Sequence, residues 1–92
     1  MTADVTMYST RFCPYCVRAR MLLDSKQVEY TDISVDSQPA LRREMMERSG
    51  RRTVPQIWIG EQHVGGFDDL AALERAGQLD DLLLSAGAVA AV

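Results

Sequence analysis

The chain is read as a single α/β domain, a four-stranded mixed β-sheet flanked by helices in the order β-α-β-α-β-β-α-α. Three observations predict it. Residues 4–9 and 28–33 alternate in strand formers and bracket one stretch of helical spacing, the pattern of a βαβ unit with a right-handed crossover. Residues 56–59 and 63–65 are separated only by the turn Gly60-Glu61-Gln62 and read as a hairpin. Finally, 92 residues without a repeat, low-complexity tract or linker are one domain's worth of chain, able to bury roughly 60–65% of its unfolded surface. The domain is assigned to 1–92, with 1–3 and 86–92 expected to fray.

Each element has a local reason. In the first strand, Val5, Met7 and Ser9 alternate with Thr6 and Tyr8. Pro14 then opens a helix, where its missing N–H would have had no partner, and Cys16, Ala19, Leu22 and Leu23 keep helical spacing as far as Lys26. After the second strand, Ser37 is expected to cap a helix with Pro39 in its first turn and Leu41 and Met45 facing inward. Gly50 stands where a left-handed C-cap belongs, so that helix ends near Ser49. Beyond the hairpin, Asp68 and Asp69 introduce a helix with Leu70 and Leu73 inward, which Gly77 stops. The last helix, Leu79–Ser85, carries Leu79, Leu82 and Leu83 inward, and an apolar tail of small residues follows.

The composition excludes several function classes. With 47% apolar and 25% charged residues the chain is globular in type. No apolar run reaches the ~18 residues of a membrane span, and Met1-Thr2-Ala3-Asp4 is unlike a basic, apolar signal; a reducing cytoplasm, no membrane and a monomer are expected. The net charge of −3 divides into +2 over residues 1–52 and −5 over 53–92. Arg42, Arg43 and Arg48 read as a solvated helix face. Nucleic acid is a poor partner for an acidic chain whose arginines lack interleaved aromatics. Arg51 and Arg52 fit an anionic small ligand better. His63 reads as an exposed hairpin residue, Trp58 and Ile59 as packing residues, and the five methionines as filler.

The two cysteines, Cys13 and Cys16, carry the chemical signal. A permanent disulfide is a poor reading for a cytosolic chain and would add only ~2 kcal/mol across so short a loop. Four-ligand zinc needs two more soft ligands, and the chain offers only His63. Redox chemistry, an intersubunit metal site or coincidence remain. A Cys-x-x-Cys beside a βαβ unit favours the first. Cys13 falls at the helix N-cap, where unpaired N–H groups and the helix dipole favour a thiolate, with Arg11 and Arg18 adding positive charge. Cys16 follows one turn in on the same face. The thiolate is the attacking species in disulfide exchange, so Cys13 attacks and Cys16 resolves. Tyr15, between them, must lie beside any bound thiol.

Three segments in register carry a family resemblance: Cys13-Pro14-Tyr15-Cys16, Thr53-Val54-Pro55-Gln56-Ile57-Trp58-Ile59 and Gly65-Gly66-Phe67-Asp68-Asp69. The chain resembles the glutaredoxins, specifically the small bacterial dithiol type, over about residues 5–84. Thioredoxins usually carry Trp-Cys-Gly-Pro-Cys, whereas here Phe12 precedes the pair and Pro-Tyr fills it. The resemblance implies a thioredoxin-like fold and a glutathione-dependent thiol–disulfide oxidoreductase. Such an enzyme reduces protein–glutathione mixed disulfides through Cys13 alone and protein disulfides through both cysteines. Glutathione would be the reducing co-substrate, with no metal, and glutathione reductase and NADPH would recharge it. The alternatives are a [2Fe–2S]-binding dimer and a thioredoxin-like electron donor.

The resemblance also implies a site. The Val54–Pro55 bond would be cis, with the Val54 backbone pairing the peptide as a short added strand. Gly66, Phe67 and Asp68 would take the γ-glutamyl carboxylate and ammonium at a helix N-terminus, with Asp69 close by. Arg51, with Arg52, would face the glycine-end carboxylate, and Thr53 and Pro55 would complete the groove. Many relatives have a lysine where Thr10 stands and a third cysteine where Phe67 stands. Arg11 is assigned the cationic role, and binding through the Phe67 backbone is expected to survive the change.

Overall fold

The structure is a computed structural model that describes residues 5–86; the frayed ends expected at 1–3 and 87–92 lie outside the described residues. Eight elements follow the expected order: β1 (Val5–Ser9), α1 (Pro14–Ser25), β2 (Thr31–Ser34), α2 (Pro39–Ser49), β3 (Gln56–Ile59), β4 (Gln62–Gly65), α3 (Phe67–Arg75) and α4 (Leu79–Ser85). The sheet runs β2-β1-β3-β4. β1 pairs parallel to β2, with Tyr8 opposite Ile33, and antiparallel to β3, with Met7 opposite Ile57. The sheet is therefore mixed. Among the described residues no helix is long and apolar enough to cross a membrane.

Alternation along β1 and β3 sorts the core onto two faces. Val5, Met7, Ile57 and Ile59 meet Ala19 and Leu23 of α1, Leu70 of α3, and Leu79 and Leu83 of α4. Tyr8 and Trp58, from the alternate positions, pack with Val35 and Met45 on the other face, which α2 covers. Each fully buried leucine of this kind contributes about 1.5–3 kcal/mol relative to exposure. Because both faces are covered, β1 and β3 are almost wholly buried, whereas the outer strands are not.

Boundary expectations change at several places, and β4 starts at Gln62, which was expected in the turn. β2 begins at Thr31 and not at 28, because the end of α1 reverses the chain through a left-handed Gln27 (φ 57°). The Gln27 N–H bonds the Asp24 carbonyl at 3.0 Å and the Val28 N–H the Leu23 carbonyl at 3.5 Å, a Schellman ending that turns Val28 into the core. Ser37 does not cap α2. It takes φ 54° in a turn closed by the Gln38 N–H on the Val35 carbonyl, which leaves Gln38 as N-cap without a side-chain bond. Gln38 (φ −125°, ψ 79°) stays out of the helical region, which a following proline disfavours. At the other end, the Ala86 N–H bonds the Leu82 carbonyl at 3.1 Å and closes α4.

Candidate active site

The site lies where the β1–α1 loop, the loop before β3 and the start of α3 converge. Cys13 is the N-cap of α1, with extended backbone (φ −94°, ψ 115°), and its Sγ accepts the Cys16 N–H at 3.3 Å. This satisfies one of the donors a helix N-terminus leaves open. The Cys13 thiol also donates to the Val54 carbonyl across 3.6 Å. Cys13 is half-buried and Cys16 wholly buried; both are free thiols. Burial pushes the Cys16 thiol up to about 12, and the neighbouring Cys13 adds to the rise. Phe12 and Tyr15 stand in solvent on either side of Cys13, 87% and 52% exposed. The guanidinium of Arg11 lies 5.9 Å from the Phe12 ring centre and that of Arg18 5.5 Å from the Tyr15 ring centre.

Beside Cys13 runs a groove of about 330 Å³, lined by Tyr15, Arg51, Thr53, Val54, Pro55, Gly66, Phe67, Asp68 and Asp69. These are nine of the ten residues expected to bind the ligand. The Val54–Pro55 peptide is cis, as the resemblance implied. At the start of α3, Asp69 accepts both the Gly66 N–H and an N–H of Arg51, each at 3.0 Å. The Gly66 bond, then Arg51, hold the Asp69 carboxyl below the usual carboxylate range. Asp69 thus ties the glycine turn to Arg51, while Asp68 stands exposed on the groove. Gly65 has φ 117°, and a Cβ there would come within 2.9 Å of Asp69 Cγ.

Arg11, the tenth, is not brought into this groove. Its backbone N–H bonds Asp36 at 2.7 Å, and the residue lines a separate polar hollow with Ser9, Arg20, Asp32, Ser34 and Asp36. Arg52 also lies off the groove lining, its carbonyl accepting from Arg42 at 3.3 Å. Arg48 is exposed, as expected of a solvated helix face, but it is also partnered. Its guanidinium lies 4.4 Å from the Trp58 ring centre and donates to the Tyr8 hydroxyl at 2.8 Å; that hydroxyl donates in turn to Glu44 at 2.9 Å.

His63 is not an exposed hairpin residue either. It is half-buried, 4.8 Å from Trp58 between ring centres, with Nε2 2.8 Å from Gln56 Oε1. Burial, then the charge of Arg51, holds its imidazole below the ordinary range. Gln56 is fully buried, and its Nε2 donates to the Thr53 carbonyl at 3.0 Å and the Thr53 hydroxyl at 3.3 Å. Gln56 stands inside one of the three family segments, but the sequence assigned its side chain no role. The available signal was a polar side chain in an otherwise apolar strand, because buried polar groups need partners.

A half-buried cysteine at a helix N-cap, with a buried second thiol one turn on, is the arrangement of a thiol–disulfide oxidoreductase. Comparison with known proteins agrees. Residues 5–64 match the family model described as Glutaredoxin. The chain is 58% identical over 79 residues to a Pseudomonas aeruginosa glutaredoxin, covering 86% of this chain and 94% of that one. It is 53% identical over 81 residues to Escherichia coli glutaredoxin 3, covering 88% and 98%. The crystal structure of a buckwheat glutaredoxin–glutathione complex superposes with a TM-score of 0.89 at 32% identity, covering 96% of this chain and 83% of that one. The chain belongs to the glutaredoxin family, and its sheet and helices are those of the thioredoxin-like fold.

Proposed function

We propose that this glutaredoxin uses glutathione to reduce protein–glutathione mixed disulfides and protein disulfides. The observation that carries the reading is the groove opening beside Cys13, with an arginine, a helix N-terminus and a carboxylate along its wall. Those groups suit the two ends of a short zwitterionic peptide that is itself a thiol. The similarity to a buckwheat glutaredoxin solved with glutathione supports the same ligand.

In the one-cysteine route, the Cys13 thiolate attacks the glutathione sulfur of a protein–glutathione disulfide. The protein sulfur leaves as a thiolate and takes up a proton, and glutathione stays bonded to Cys13 in the groove. A second glutathione thiolate attacks the glutathione sulfur of that bond, regenerating Cys13 and releasing oxidised glutathione. In the two-cysteine route, Cys13 attacks a protein disulfide and Cys16 displaces the protein by bonding to Cys13. Two glutathiones then reopen the Cys13–Cys16 bond. Glutathione reductase and NADPH recharge the pool, and the reducing cytoplasm is the compartment in which this direction runs.

Tyr15, Thr53, Val54, Pro55 and Phe67 form the groove walls in this reading. Arg51 faces the glycine-end carboxylate, and Gly66, Asp68 and Asp69 the γ-glutamyl end. A coupled assay tests it: turnover of a small glutathione mixed disulfide with glutathione, glutathione reductase and NADPH, and none with thioredoxin reductase in their place. The reverse pattern would make the protein a thioredoxin-like donor.

A further inference from the structure

Gln56 is the buried polar side chain of β3, and its amide orientation follows from its partners, because the Thr53 carbonyl can only accept. Nε2 faces Thr53, donating to its carbonyl at 3.0 Å and its hydroxyl at 3.3 Å, so Oε1 faces His63 across 2.8 Å. An amide oxygen only accepts, so His63 must carry its proton on Nε2. The imidazole itself packs on Trp58, 4.8 Å between ring centres and tilted by 32°. A relay thus runs from the hairpin, His63 to Gln56 to Thr53, and ends on the groove wall. Because the Thr53 hydroxyl oxygen already accepts from Gln56, its own O–H is left to donate.

We propose that Gln56 and His63 are positioning residues for ligand binding, fixing Thr53 so that its hydroxyl hydrogen points at a carbonyl or carboxylate oxygen of the thiol peptide in the groove. The proposal rests on the glutathione reading above. A side chain satisfied only for the sake of the core would need none of this ordering at Thr53. Here both Gln56 donors go to the one residue that is exposed on the groove and adjoins Val54, whose carbonyl meets the Cys13 thiol at 3.6 Å.

The test is steady-state turnover of a small glutathione mixed disulfide by the whole protein, read as a split between KM and kcat. Gln56→Met keeps the volume and removes the relay; KM should rise about tenfold with kcat within about twofold, the size of one lost hydrogen bond. His63→Phe keeps the stacking on Trp58 but not the donor, and should do the same. His63→Gln restores a donor near Nε2 and should return KM towards its original value. Equal KM values for His63→Phe and His63→Gln overturn the proposal, as does an unchanged KM in Gln56→Met. Thr53→Val, at an exposed position, should raise KM alone, and the double variant with Gln56→Met should be no worse than the worse single. Fully additive losses would overturn it. Absence of glutathione turnover in the unaltered protein would instead overturn the glutathione reading itself, and this one with it.

Discussion

The backbone N–H of Cys16 points at the sulfur of Cys13 across 3.3 Å, so each cysteine has a different environment although three positions separate them. Cys13 meets solvent and the helix N-terminus; Cys16 meets the core.

Their variants should therefore differ. Cys13→Ser is expected to abolish both the one-cysteine and two-cysteine reactions. Cys16→Ser should spare reduction of a glutathione mixed disulfide and lose reduction of a protein disulfide. Parallel assays with the two substrates check this, and loss of both activities in Cys16→Ser would reverse the assigned roles.

Burial raises the Cys16 thiol from its ordinary value to about 12. The unfolded chain then releases this proton near ~8.5, well before the folded chain does. The contribution is fully present below the unfolded value and is lost as pH rises towards the folded one. Denaturant titrations of the reduced protein should show stability falling between pH ~8.5 and 12, with a shallower fall in Cys16→Ala.

Asp69 shifts the other way. Its folded carboxyl is held low by the Gly66 N–H and then by Arg51, so its contribution is present above ~3.9 and disappears as pH falls through the folded value. Asp69→Asn should flatten this acid arm of the stability curve. The pair with Arg51 is half exposed, so added salt should weaken that part of the effect.

Gly65→Ala should destabilise the fold by roughly 1–3 kcal/mol, the usual cost of an unsuitable backbone region. The added methyl would meet the Asp69 carboxylate and come within 3.1 Å of Arg51 Nη1. Thermal melting measures the loss, and an unshifted midpoint would contradict it.

Asp68→Ala removes an exposed carboxylate from the groove wall. The KM for a glutathionylated substrate should rise severalfold, at little cost in stability, as the ammonium loses its partner. Unchanged kinetics would remove Asp68 from the site.

Much of this was legible because the signals were local. Alternation at Val5 and Met7, the proline at the first turn of α1, and glycines at helix ends each act within a few residues. The groove residues came from the resemblance of three segments to a known family, and the structure brings those segments together around one hollow. What was not legible depends on contacts across the chain. Arg11 adjoins Phe12 and Cys13 in sequence, yet Asp36, from beyond β2, holds its backbone on another hollow. Arg48 is exposed as its pattern suggests, but its contact with Trp58 was not legible, since it arises only because α2 lies over the indole. Gln56 meets His63 across the β3–β4 pairing, two residues along from Trp58, which stands opposite His63, a cross-strand contact that no turn residue announces.

The burial of Cys16 on the inner face of α1 also bears on how the protein ages. Peroxide converts an accessible thiolate through sulfenic to sulfinic and sulfonic acids, the last two largely irreversible. With Cys16 wholly covered and Cys13 open, such damage has one point of entry. A sulfenic acid at Cys13 can still be captured by the Cys16 thiol as a disulfide with loss of water, so the buried sulfur also guards the exposed one against the irreversible steps.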